Sequence, residues 1–330
     1  MIVSAVLLAT VALVQAPADS SGAALYRSWC AKCHGADGGG EPARQTRLSV
    51  RPANLAECKT STAETEEGWT DIVREGGAAF GLSLDMPSFG EGATPEQLGA
   101  VVRYVRSLCG ERGWPPSELN FPRAFLAEKA YPENEAVVKA HGGGQELIYE
   151  RRIGRRAQLE ASARTVLDSA GRPFDGVTGA LKYNVWHSAA RRAIASVGLE
   201  VTPPIGRQDL CEIEPLLAFG AQPVPAGFVQ GELVGTWEES EGVKGFSYSL
   251  GVGRELGRFV PMIEVGGAVP RGGESTVSFV PQVWFQLSRL GHVAGSLGVE
   301  LPVRGPEPRH SRVTAFLLWD YGDGGLFRGW

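Results

Sequence analysis

Cys30-Ala31-Lys32-Cys33-His34 is the stretch of this chain that carries the most chemistry. Two thiols three positions apart can add across a pair of vinyl groups, and the imidazole beside the second can take a metal held between them. C-x-x-C-H is the spacing at which a c-type haem is attached: the sulfurs reach the porphyrin edge and the next ring becomes the proximal iron ligand. With 5 Cys and 5 His in 330 residues, chance would place this pattern only roughly 0.001 times. Two other chemistries share C-x-x-C. A thioredoxin-like dithiol needs a βαβ setting and a zinc knuckle needs a second ligand pair, and the flanking residues offer neither.

A low-spin haem needs a sixth ligand, usually Met or His. No histidine lies between His34 and His141. Of the three methionines, Met1 belongs to the leader, Met262 sits far away in a strand pattern, and Met86 stands in the proline-braced run Met86-Pro87-Ser88-Phe89-Gly90. Met86 is the expected distal ligand. The competing readings are a gap-filling core thioether, a lysine ligand or an open site.

The elements that must position these groups are legible nearby. Ser20 or Ser21 caps a helix through Ala24, Leu25 and Trp29 into Cys33, which Gly35 ends. Thr65 to Glu75 reads as a second helix, with Trp69, Ile72 and Val73 on one face. Thr94-Pro95-Glu96-Gln97 is a capping box with proline at the first helical position, followed by Leu98, Val101, Val102, Val105 and Leu108 at helical spacing.

Before them, residues 1–18 read as a signal peptide: Ile2 to Val14 is apolar and Ala16-Pro17-Ala18 fits a cleavage site, although the usual basic start is missing. A retained anchor is the alternative. Export suits haem attachment, which in bacteria takes place outside the cytoplasm. The net charge of −5 implies no broad basic surface, so no nucleic-acid partner is expected.

Residues 22–109 resemble a class I c-type cytochrome: C-x-x-C-H at the end of a first helix, a Met-Pro loop, then a closing helix. The resemblance implies one covalently bound haem c on Cys30 and Cys33, with His34 and Met86 as axial ligands. It also implies that Arg51-Pro52-Ala53-Asn54-Leu55 forms part of the haem wall, Pro52 orienting His34 through its carbonyl and Arg51 reaching a propionate. Cys58 follows this segment and Cys109 ends the last helix. In an oxidising compartment a disulfide between them would clamp the loop to the helix, worth roughly 4 kcal/mol in the loop-entropy account. Two separate buried thiols are the alternative.

After a Pro-rich linker at 113–135, helix patterns give way to period-2 alternation. The clearest runs are 229–237, 246–252, 259–265, 277–287, 293–301 and 313–319. Weaker ones are 145–153, 156–164, 179–188, 193–202 and 210–219, with one more allowed near 121–129. Eleven or twelve strands fit either a β-sandwich or a membrane barrel, whose strand number is even in bacteria. Strand length, a small and polar second face, and aromatics at strand ends (Trp237, Tyr248, Phe259, Trp284, Phe285, Trp319, Tyr321) favour the barrel, and the terminal Phe327-Arg328-Gly329-Trp330 resembles the aromatic end common in outer-membrane barrels. Short loops oppose the barrel, as do Pro261 and Pro281 inside strand patterns, which call for bulges.

The expected inner face carries Glu150, Glu160, Glu214, Glu232, Glu264, Glu300 and Asp320, with Arg152, Arg164 and Lys182. These are either a cation-preferring lumen or a charge network that fills a narrow barrel; the second is favoured. The remaining histidines show no ligand spacing.

The expected fold is multidomain: signal peptide 1–18, all-α cytochrome c domain 19–112, linker 113–135, and at 136–330 an all-β antiparallel domain, an up-and-down barrel of about 12 strands resembling outer-membrane β-barrels. The expected function is one-electron transfer in the periplasm by a non-enzymatic cytochrome anchored in the outer membrane, with donor and acceptor proteins as partners. The alternatives are a small redox-linked porin, or a periplasmic cytochrome whose soluble β module makes it an oxidoreductase subunit.

Overall fold

A computed structural model describes residues 21–42, 45, 47–166, 174–306, 310–323 and 326. The expected signal peptide and the terminal run 327–330 lie outside the described residues.

The helical part opens with α1 (Gly22–Trp29), whose N-cap Ser21 accepts a hydrogen bond from the Ala24 amide at 3.3 Å. Cys30 interrupts it, and the single turn α2 (Ala31–His34) carries on to Gly35, which ends it at φ 78°. A further turn, α3 (Cys58–Ser61), has no counterpart in the sequence reading, being too short to show a period. Next come α4 (Glu66–Glu75), capped by Thr65, and α5 (Pro95–Ser107), where Thr94 and Gln97 form the capping box. Leu25 and Tyr26 of α1 pack on Leu98, Val101, Val102 and Val105 of α5. Each such side chain contributes about 1.5–3 kcal/mol on burial. Gly22 permits the crossing: a Cβ there would lie 2.2 Å from the Ala100 carbonyl oxygen.

Twelve strands follow: β1 (Glu135–His141), β2 (Gly144–Ile153), β3 (Ala157–Val166), β4 (Phe174–Ser188), β5 (Ala193–Thr202), β6 (Glu212–Val224), β7 (Gly227–Glu238), β8 (Gly242–Arg254), β9 (Phe259–Pro270), β10 (Thr276–Gln286), β11 (Val293–Arg304) and β12 (Arg312–Asp320). Each pairs antiparallel with its chain neighbour, and β1 closes the barrel on β12. Val137 faces Ile148 on one side and Leu318 on the other, and all three side chains are buried. Closure excludes the sandwich.

Alternation sets the two faces. Along β9, Val260, Met262 and Glu264 point inward and are buried, while Phe259, Ile263 and Val265 point outward. Leu297 and Leu317 on other strands are likewise about half exposed, so the outer wall is apolar. β1 has 7 residues, and the rest run from 9 in β12 to 15 in β4, against about 9–11 needed to span a membrane. Among the described residues no helix is long and apolar enough to do so.

Three expectations are corrected. Residues 121–129 form no strand. The segment from Asn120 to Asn134 enters the lumen instead, where Phe121, Ala124, Phe125, Ala127, Ala130 and Tyr131 are buried. Phe121 stacks on Phe228 at 5.4 Å and Phe125 meets Phe316 edge-on at 5.1 Å. The stretch 113–135 is therefore no free linker, and β1 begins at Glu135. Second, Trp284, although near a strand end, faces inward, while Tyr321, just past β12, is buried among the outer-face side chains Tyr149, Arg151 and Trp319. Third, Pro261 and Pro281 need no bulge. Pairing between β8 and β9 stops at Gly253 and Met262, one residue before Pro261. Pairing between β10 and β11 lapses from Phe279 to Gln282, across Pro281, without a change of register. Each proline thus falls where one ladder asks for no N–H.

Candidate haem site

The junction of α1 and α2 brings the C-x-x-C-H groups onto one turn. The Cys33 and His34 amides both donate to the Cys30 carbonyl, at 3.1 and 2.9 Å. The glycine-rich loop then folds back: the Gly40 amide donates to His34 O at 2.8 Å and the Glu41 amide to Cys33 O at 2.9 Å. The Leu55 amide donates to Gly38 O at 2.7 Å, which lays the 51–55 segment against this loop.

That segment orients the imidazole. His34 Nδ1 lies 3.0 Å from the Ala53 carbonyl oxygen. A carbonyl only accepts, so the ring proton sits on Nδ1 and Nε2 keeps its lone pair. Burial pulls the His34 pKa below its ordinary value, against the opposing pull of the Ala53 hydrogen bond. The ring is thus held neutral and ready to ligate. Pro52 is where the sequence places this accepting carbonyl. It lines the cavity, but its carbonyl packs against Gly40, and the next residue reaches His34. Arg51 lines the cavity too, its guanidinium donating to the carbonyls of Gly39 and Gly40, each at 3.1 Å.

Met86 enters from the opposite loop. Gly77 N donates to Met86 O at 3.1 Å, Phe89 N to Val73 O at 3.1 Å, and Gly90 N to Arg74 O at 2.9 Å, tying the loop to the end of α4. Gly76 makes this possible at φ 81°, where a Cβ would stand 2.8 Å from the Ser88 amide. Asp85 clips the far wall, accepting from Ser49 N at 3.0 Å and Ser49 Oγ at 2.7 Å. Those bonds hold its carboxyl below the usual range.

Cys30, Cys33, His34 and Met86 line one cavity of about 480 Å³, walled by apolar groups including Val50, Leu55, Ile72 and Phe80, a size suited to a cofactor. The residues present fit haem c. Two thiols and a neutral imidazole share a turn, a thioether stands in the same cavity, and the Trp69 indole N–H at its wall is buried without a partner among the described residues. An acidic group on the bound molecule would satisfy that donor. Cys58 and Cys109 are joined as a disulfide, their Cα atoms 4.8 Å apart.

The barrel mouth supplies the remaining wall, which no local pattern announced. Tyr131, Arg152, His292 and Asp320 line the same cavity. The turn between β10 and β11 grips the helical domain: Arg289 pairs with Glu75, donates to Ala79 O at 3.2 Å and lies 5.0 Å over the Phe80 ring, while His292 meets Glu64.

Inside the barrel, the expected carboxylates are where alternation put them, and three of them, Glu150, Glu232 and Glu264, bond the lumen segment. Glu264 accepts from the amides of Phe125, Leu126 and Ala127 at 2.6, 2.9 and 3.2 Å. Lys182 donates to Lys129 O at 2.6 Å, and Gln230 to Pro122 O at 2.8 Å. The run Glu128–Glu135, without a role in the sequence reading, is the charged half of this plug.

Comparison with known proteins bears on the two halves separately. Residues 17–105 match the family described as "Cytochrome C oxidase, cbb3-type, subunit III". The cbb3-type cytochrome c oxidase subunit CcoP of Rhodobacter capsulatus is 28% identical over 125 residues, 37% of this chain and 38% of that protein. The chain thus covers less than two fifths of that relative. The N-terminal domain is of c-type cytochrome kind. Among solved structures, the KdgM porin is 10% identical, covering 56% of this chain and 96% of its own, with a TM-score of 0.44. An outer membrane channel from Pseudomonas putida F1 is 10% identical, covering 60% and 99%, with a TM-score of 0.46.

Proposed function

We propose that this chain is a single-haem c-type cytochrome that passes one electron at a time at the periplasmic face of the outer membrane, with the barrel as its anchor. Haem c supplies a one-electron couple, and a thioether ligand favours the reduced iron and raises its potential. The chain's own residues do the rest. Cys30 and Cys33 provide the covalent attachment, Ala53 fixes His34 with Nε2 available, and the braced loop presents Met86. Arg51 and Trp69 stand where acidic haem substituents are to be held, and the apolar wall keeps water out. With both axial positions supplied by the protein, the site relays electrons and turns over no substrate, so the chain is not itself an enzyme in this reading. Its donor and acceptor are other redox proteins.

The observation that carries this reading is the single cavity that gathers Cys30, Cys33, His34 and Met86. The apolar outer wall supports a membrane anchor. The hydrogen-bonded lumen segment weighs against ion conduction, so the anchor is preferred to a redox-linked porin.

The spectrum of Met86→Ala tests the ligand set. The expected result is one haem per chain, a c-type reduced α-band, and loss of the sulfur-to-iron absorption in the variant. An unchanged spectrum contradicts the assignment.

A further inference from the structure

The lumen holds a group of charges that the haem site does not use. Arg123, on the plug, reaches Glu135 at 3.2 Å and Glu128 at 3.6 Å and also pairs with Glu150. Lys129 meets Glu133 and Glu135 at 2.6 and 2.8 Å, and Lys182 meets Glu128 at 2.6 Å. Glu160 of β3 joins the same group. One carboxylate oxygen from each of Glu128, Glu150 and Glu160 lies within 4.8 Å of the other two. Three cations thus face five carboxyl groups, so two carboxyls are left without a cation of their own in a region largely withdrawn from water. Burying unpaired charge is costly, and a counter-ion removes that cost.

A second observation points into the same spot. Glu150 is fully buried, and while its Oε1 accepts from Arg123, its Oε2 has no hydrogen-bond partner among the described residues. A buried carboxylate oxygen without a donor is a vacant ligand position in chemical terms.

The geometry selects the ion. Ca²⁺ binds oxygens at about 2.3–2.6 Å, so two of its ligands stand no more than about 5 Å apart, and the three carboxylates meet that limit. An all-oxygen, carboxylate set suits a hard cation and offers no soft ligand to a thiophilic one. Water can complete the shell. Glu128 and Glu160 line a polar chamber of about 330 Å³ on the side of the plug away from the haem cavity, where Lys139 and Glu146 near the β1–β2 turn also stand.

We propose that Glu128, Glu150 and Glu160 bind one Ca²⁺ ion, which clamps the lumen segment to strands β2 and β3. The ion takes no part in electron transfer, and the site stands whether or not the haem assignment does. It ties a plug residue to two wall residues, so it stabilises the closed lumen by mass action.

The test uses the full haem-loaded chain in detergent, stripped with EGTA and titrated with Ca²⁺ by calorimetry. The expected result is saturable uptake of one Ca²⁺ and a barrel unfolding temperature that rises with it. Glu160→Gln weakens binding roughly tenfold or more, and Glu214→Gln, in the same chamber but outside the triad, leaves it unchanged. If Glu160→Gln loses the folded barrel's heat-modifiable mobility, Glu160→Asp is measured in its place and must also weaken binding. Absence of saturable uptake overturns the site. So does equal weakening by both variants, which means that the lumen attracts cations only through its diffuse field.

Discussion

Arg106, in the last turn of α5, holds Glu118 at the entrance to the plug, with Nη2 donating to Oε2 at 2.8 Å. Glu118 Oε1 also accepts from the Glu66 amide at 2.9 Å. One carboxylate therefore joins the closing helix, the start of α4 and the segment that runs into the barrel. A break here loosens the haem domain from the plug and costs it part of its stability, while the Arg289–Glu75 and His292–Glu64 contacts remain.

This pair sets a pH dependence. Burial alone would raise the Glu118 pKa, but the Arg106 hydrogen bond and charge outweigh it and leave it below the ordinary 4.5. A depressed carboxylate pKa contributes stability that is complete above the unfolded value and lost as pH falls through the folded one. Thermal unfolding of the haem domain, followed by haem absorbance, is expected to be flat near neutral pH and to drop in the acid range. Glu118→Gln removes a charge-assisted hydrogen bond worth about 1.5–3 kcal/mol and flattens that acid limb. A variant with an unaltered acid limb contradicts the assignment.

The Cys58–Cys109 disulfide spans 51 residues. In the loop-entropy account, its removal costs the haem domain roughly 4 kcal/mol. The double variant Cys58→Ser/Cys109→Ser is expected to unfold at a markedly lower denaturant midpoint, with the haem spectrum kept under native conditions. A midpoint equal to that of the parent shows that the thiols are not bonded.

Glu264 holds the plug by three consecutive backbone amides. In Glu264→Ala those buried donors lose their acceptor, at about 1–3 kcal/mol each. The plug around Phe125 then becomes accessible to protease, and the variant conducts in planar bilayers where the parent is closed. Glu264→Gln keeps one acceptor oxygen and is expected to fall between. Equal conductance in parent and Glu264→Ala rejects the plug as the gate.

How far sequence reached into this fold depended on the range of the forces. The haem-binding turn is local chemistry, and the capping box at Thr94 and Gln97 is local geometry; both were legible. Period-2 alternation gave the strands and their faces, because the outer face meets one apolar surrounding along its whole length. A place near a strand end does not decide a face, and Trp284 follows the parity of β10 inward. The plug was illegible for a stronger reason. Residues 120–134 have no period of their own, and Phe125 finds its acceptor on Glu264, 139 residues away. Arg289 and Glu75 are 214 residues apart, so nothing near either one announces their contact. At the haem wall the error was a single residue: Ala53, and not Pro52, presents the carbonyl to His34, a difference that only backbone direction decides.

In the proposed function the haem and the barrel belong to one folded outer-membrane protein. A haem-stained SDS gel of detergent-extracted outer membranes, run with and without boiling, measures this in one step. The expected result is a haem band that fractionates with the outer membrane and changes mobility on boiling, as a closed barrel unfolds with its haem still covalently attached. A haem band that stays in the soluble fraction and keeps its mobility contradicts it.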